Sequence, residues 1–147
     1  MSDKVILLIE DNQDDEELAL LAFSRHRIAD EMVVVRDGQE ALDYLLATAT
    51  EAGNYANELP DLVLLDLKLP RVDGLDVLRR LRADPRTRRL PIVILTSSRE
   101  EEDLITSYDL GANSYVRKPV DFAHFAEAVH QLQLYWLVLN ESAIVRK

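Results

Sequence analysis

A chain of 147 residues fits one domain on the soft prior of roughly 100–200 residues per domain, and the absence of cysteine excludes disulfides, thiolate metal sites and cysteine nucleophiles. Its 27 acidic and 17 basic residues leave a net charge of −10, which argues against general nucleic-acid or anionic-membrane binding, because both need a positive surface. A hydrophobic content of 48% supports a folded core, and the longest apolar run, Leu134 to Leu139, falls far short of the ~20 residues of a membrane span.

The N-terminal stretch MSDKVILLIED lacks the basic segment and small-residue cleavage site of a signal peptide, so a cytoplasmic protein is expected. Within it, Val5–Ile9 reads as a first strand. A helix marked by Leu18, Leu21, Ala22 and Phe23 follows, then a strand at Met32–Val35. A second helix carries Ala41, Leu42, Leu45 and Leu46 after Asp37-Gly38, and a long connection (Ala47 to Pro60) leads to a strand at Leu62–Leu65. Leu75, Val77, Leu78 and Leu81 mark the third helix, and Ile92–Leu95 the fourth strand. Leu104, Ile105, Tyr108 and Leu110 mark a fourth helix closed by Gly111, before a short strand at Ser114–Val116. A long last helix runs from about 121 to 140. Most of the strands are near-continuous apolar runs, as expected for a parallel sheet covered on both faces. The predicted fold is α/β: one doubly wound, flavodoxin-like domain over residues 1–147 with strand order 2-1-3-4-5.

In such sheets ligands bind at the carboxyl ends of the strands. Glu10 and Asp11 follow the first strand, Asp66 the third, Thr96-Ser97 the fourth and Lys118-Pro119 the fifth. Each has a bland explanation on its own: an acidic pair helped by a helix dipole, or a loop aspartate capping its turn. Reactive polar groups at all four strand ends favour a site. Carboxylates gathered there repel by about 4 kcal/mol per pair at ~4 Å with an effective dielectric near 20. Lys118 and a hard divalent cation, Mg²⁺ or Mn²⁺, would offset that, the cation held by Asp11, Asp66 and a backbone carbonyl, with Glu10 acting partly through water. Asp14 to Glu17 read as a cap and solvated first helical turn. A carboxylate beside a cation, a hydroxyl and an ammonium suits phosphoryl transfer, with Asp66 as the central nucleophile. No glycine-rich phosphate loop occurs, so a small phospho-donor or a phosphorylated protein residue is the expected source.

Four pieces, LLIEDN at 7–12, DLVLLDLKLPRVDG at 61–74, ILTSS at 94–98 and GANSYVRKPVD at 111–121, together resemble the receiver domain of two-component response regulators. The resemblance implies a phosphoacceptor signalling protein rather than an enzyme, with self-phosphorylation and dephosphorylation chemistry of its own. It implies that a sensor histidine kinase phosphorylates Asp66. It also implies Mg²⁺ at Glu10, Asp11, Asp66 and the Lys68 carbonyl, Thr96 and Lys118 as catalytic partners, and Thr96 and Tyr115 as the switch pair. Tyr115 is equally explained as an edge-strand aromatic packed on a helix. A stand-alone regulator is expected, and the Glu10-Asp11-Asn12 start with its acidic first turn, the long Ala47 to Pro60 connection and the extended Tyr135-Trp136-Leu137 tail make the chain most similar to the single-domain regulators paired with phytochromes, with a bacteriophytochrome as the expected kinase. Lys68 stands two residues after Asp66, where the family varies and hydrolysis rate is tuned.

The basic cluster Arg79, Arg80, Arg82, Arg86, Arg88 and Arg89 reads as a solvated helix end. On the last helix Phe122, Phe125, Val129, Leu132, Trp136 and Leu139 share one face. Apolar residues beyond that stripe point to a homodimer through the fourth helix, fifth strand and fifth helix, with Leu134, Tyr135, Trp136 and Val138 in the contact. Rival readings are another stand-alone receiver of phosphorelay or motor-binding type, a metal-dependent phosphotransferase or hydrolase using Asp66, a flavin carrier and an inactive scaffold. Glu10-Asp11 would repel a flavin phosphate, no general acid stands out among His26, His124 and His130, and both Asp66 and Lys118 are present.

Overall fold

Runs such as VILLI and LVLL cannot leave either face in water, so they become strands covered from both sides. The computed structural model describes residues 3–46, 58–119 and 121–144. Its strands are β1 (Val5–Ile9), β2 (Glu31–Val35), β3 (Leu62–Leu65), β4 (Ile92–Thr96) and β5 (Ser114–Arg117). All pair in parallel in the order β2-β1-β3-β4-β5, the predicted topology. The helices are α1 (Gln13–Arg25), α2 (Gly38–Leu45), α3 (Gly74–Ala83), α4 (Glu101–Asp109) and α5 (Phe122–Gln133). Most of the connection placed at Ala47 to Pro60 lies outside the described residues.

Alternate strand residues feed two cores. Leu7, Ile9, Val63, Leu65, Ile92 and Ile94 pack with α2 and α3. Ile6, Leu8, Leu62, Leu64, Val93 and Leu95 pack with α1 and α5. Each such leucine or isoleucine contributes about 1.5–3 kcal/mol on burial. The two edge strands are less covered, which explains their weaker apolar signature.

Three helical stripes differ from the sequence expectation. On α1, Ala19, Ala22 and Phe23 are buried while Leu18 and Leu21 are exposed. On α4, Asp103 and Ser107 face inward while Ile105 and Tyr108 are exposed. The last helix changes winding: after α5, Leu134–Leu139 form a π-helix, with Asn140 N–H donating to the Tyr135 carbonyl at 2.7 Å. Its inner residues are Phe125, Val129, Gln133 and Leu137, whereas Leu139, expected to face the core, is 69% exposed. Gln133 takes an apolar-looking slot because its amide satisfies the α1–β2 turn. Its Oε1 accepts from Ile28 and Ala29 N–H at 2.9 and 3.0 Å, and its Nε2 donates to the His26 carbonyl at 3.1 Å. No helix among the described residues is long and apolar enough to cross a membrane.

Candidate functional site

Parallel strands all end at one edge, so residues far apart in sequence meet there. Ile9 pairs with Leu65, which sets Glu10 beside Asp66, and Asp66 N–H donates to the Ile9 carbonyl at 3.1 Å. Thr96 closes β4 fully buried, and Lys118 N–H donates to its carbonyl at 2.8 Å. The fold thus brings Glu10, Asp11, Asp66, Thr96 and Lys118 to one crevice. Oxygens of Glu10, Asp11 and Asp66 lie within 4.8 Å of one another, with Glu10 and Asp66 buried and Asp11 exposed.

Lys118 supplies the compensating charge. Its side chain is 9% exposed, and its ammonium donates to Glu10, to Asp15 at 2.9 Å and to Asp66 at 3.4 Å. Burial alone would lower the Lys118 pKa, but the hydrogen bonds to Glu10 and Asp15 outweigh it and hold the ammonium protonated. Burial pushes the Glu10 carboxyl up to about 7, against the pull of Lys118 and with the help of neighbouring Asp66.

Asp15 is the residue that sequence reasoning placed wrongly. Asn12, not Asp14, caps α1, with its Oδ1 accepting from Asp15 N–H at 2.9 Å. Asp15 turns inward to Lys118, and Glu16 pairs with Arg36 at 2.9 Å, so neither is simply solvated. An acid at the third helical position signals a capping box. Only the fold reveals that this one serves a lysine 103 positions away.

The loop after Asp66 folds back tightly. A Cβ on Gly74 would lie 2.3 Å from the Asp66 carbonyl oxygen, so α3 can start there only at glycine. Arg71 adopts φ 67°, rare for a residue with a side chain, and its guanidinium meets Asp37 at 3.3 Å. Lys68 N–H points at Asp66 Oδ1 at 3.4 Å, while its ammonium reaches Asp103 at 3.6 Å. Ser98 donates to the same Asp103 at 2.7 Å and gives its N–H to Thr96 Oγ1 at 3.2 Å. The half-buried Tyr115 directs its hydroxyl at the Ser98 carbonyl at 3.5 Å, which links the β5 aromatic to the β4–α4 loop.

The donor set is all oxygen and strongly acidic, so it fits a hard divalent cation. Glu10, Asp11, Asp15 and Asp66 set four carboxyl groups against the one ammonium of Lys118, and a divalent cation would offset their remaining negative charge.

The remaining residues singled out in sequence lie away from this crevice. In the tail, Tyr135 and Val138 are exposed, whereas Leu134 and Trp136 are half-buried, and Trp136 packs on the α1/α5 core. Within the arginine cluster, Arg79 and Arg80 pair with Asp76, and Arg86 donates to the Leu45 carbonyl at 2.9 Å. Arg82 ties the end of α3 to the Leu90 and Gly111 carbonyls at 2.8 and 2.9 Å.

The model for the response regulator receiver domain matches residues 6–130. The chain is 41% identical to the probable methanogenesis regulatory protein FilR2 of Methanothrix harundinacea, over 94% of this chain and 86% of that protein. It is 37% identical to the response regulator Rcp1 of Synechocystis, over 91% of this chain and 89% of Rcp1. The structure of the Mn²⁺-bound form of Rcp1 superposes with a TM-score of 0.83, at 34% identity over 95% and 98% of the two chains. The phosphorylated cyanobacterial phytochrome response regulator RcpA gives a TM-score of 0.85, at 37% identity over 97% and 99%. An acid-lined crevice on a 2-1-3-4-5 sheet and similarity that spans the whole sheet lead to one conclusion: the chain belongs to the response regulator receiver domains, which are phosphoacceptor signalling modules.

Proposed function

We propose that this receiver takes a phosphoryl group on Asp66 from a phosphohistidine of a phytochrome-type sensor kinase, a bacteriophytochrome, and answers by changing its α4–β5–α5 face. The observation that carries the proposal is the buried Asp66 carboxylate, within reach of Lys118 and flanked by Glu10 and Asp11 at the sheet edge. An Asp66 oxygen attacks phosphorus as the bond to the donor imidazole nitrogen breaks, and the electron pair leaves with that nitrogen. Lys118 and the Thr96 hydroxyl bind phosphoryl oxygens as charge spreads over them. Mg²⁺ held by Glu10, Asp11, Asp66 and the Lys68 carbonyl would supply further neutralisation of those oxygens. The Mn²⁺ named for Rcp1 supports such a site, and the likeness to the phytochrome response regulator RcpA over nearly the whole chain supports a phytochrome partner. Thr96, on turning to the phosphoryl group, leaves the Ser98 N–H, and Tyr115 follows through the Ser98 carbonyl.

Mass spectrometry after incubation with acetyl phosphate and Mg²⁺ tests this. One labile phosphoryl adduct is expected, absent from Asp66→Asn. An adduct that persists in the variant, or multiple turnover on phosphomonoesters, overturns it.

The same reading includes a cytoplasmic homodimer with no nucleic-acid or membrane partner. Its contact uses α4, β5, α5 and the tail, where Tyr135 stacks edge-on against Trp136 and Val138 is 59% exposed. Because Trp136 also packs inward, Tyr135→Ala with Val138→Ala is the cleaner disruption. Sedimentation should show a dimer becoming a monomer, and a monomeric parent rejects the contact.

A further inference from the structure

We infer that Asp15 is a positioning residue for Lys118: it shares the ammonium in the resting domain and yields it when Asp66 carries a phosphoryl group. This rests on Asp66 being the phosphoacceptor.

An acid at the third position of a helix ordinarily reaches back to the N–H of the cap residue. In α1 that N–H belongs to Asn12, and Glu10 Oε2 already accepts it at 3.2 Å. Asp15 is thereby released from its local duty, although its own N–H stays fixed by the Asn12 side chain at 2.9 Å. Its Oδ2 instead lies 2.9 Å from Lys118 Nζ.

An ammonium has three protons to donate. On Lys118 all three are taken, by Glu10, Asp15 and Asp66. A phosphoryl group on Asp66 replaces the carboxylate oxygen at this ammonium with several anionic oxygens, and a lysine that turns to more than one of them must release a second acceptor. The Glu10 side chain is 3% exposed, so water cannot take the place of Lys118 there. The Asp15 side chain is 35% exposed, so water replaces the lysine at small cost. Asp15 is therefore the acid that gives way. Two consequences follow. Asp15 weakens the hold of Lys118 on the phosphoryl group, and its release carries phosphorylation into the first turn of α1.

Beryllofluoride with Mg²⁺, a mimic of the phosphoryl group, measures the exchange by calorimetric titration. Asp15→Asn should bind it about fivefold more tightly, the size expected when a partly exposed ion pair stops competing. Asp15→Glu should return toward the parent affinity, and Asp14→Asn, an equal charge change on the exposed neighbour, should leave it unchanged. In amide NMR spectra beryllofluoride should shift Asp15 and Glu16 in the parent, and less in Asp15→Asn.

Equal tightening in Asp14→Asn and Asp15→Asn would reduce the effect to general charge and overturn the inference, as would an unchanged Asp15→Asn. A loss of Mn²⁺ affinity of about tenfold or more in Asp15→Asn, of the size seen when supports of a metal shell are removed, would place Asp15 with the cation instead. If Asp66→Asn binds beryllofluoride as the parent does, the failure lies with the phosphoacceptor reading and not with Asp15.

Discussion

Replacing Gln133 with leucine should destabilise the domain by about 2–3 kcal/mol, although the change puts an apolar residue into a fully buried position. Leucine cannot accept from Ile28 and Ala29 N–H or donate to the His26 carbonyl, the three bonds that Gln133 makes. A stranded buried donor costs about 1–3 kcal/mol. Ala29 is 1% exposed and bears that cost in full, while half-buried Ile28 recovers some of it from water. The added apolar burial returns about 1 kcal/mol. The net loss corresponds to a fall of roughly 5–10 °C in melting temperature for a domain of this size. Urea titration should show a lower midpoint with an unchanged slope. A Gln133→Leu protein as stable as the parent, or more so, would refute the assignment of Gln133 as the acceptor for the α1–β2 turn.

Gly74→Ala should cost about 1–3 kcal/mol and weaken Mn²⁺ binding, because the new Cβ would lie 2.3 Å from the Asp66 carbonyl and no side-chain rotation can relieve a backbone clash; an unchanged urea midpoint would contradict this. The Glu10 carboxyl stands at about 7, so a cation that binds its ionised form should bind more tightly as pH rises through that value, with proton release. Mn²⁺ titrations in buffers of different ionisation enthalpy should detect the proton, and Glu10→Gln should remove it. The hydrogen bond from His124 to Asp121 raises the histidine above its ordinary 6.5, so its contribution is full below that value and fades as pH rises through the folded pKa. NMR titration should place His124 above 6.5 in the parent and near 6.5 in Asp121→Ala.

Sequence alone determined the order of strands and helices and, through the rule that function sits at the carboxyl ends of parallel strands, the candidate crevice. Glu10, Asp66, Thr96 and Lys118 were legible because each directly follows or closes a strand, and strand order converts that local fact into proximity. Polar pairing was not legible. Glu10 occupies the Asn12 N–H and thereby diverts Asp15 from its cap to Lys118, a choice made among groups that share no local pattern. The buried amide of Gln133 and the solvent-facing Ile105 and Tyr108 likewise defeat a hydrophobic stripe, because what a helix face buries depends on the unpaired backbone groups and side chains opposite it. Periodicity is a property of neighbours along the chain and is written in the sequence. The partner of a charge or an amide is set by neighbours across space, and only the folded structure decides it.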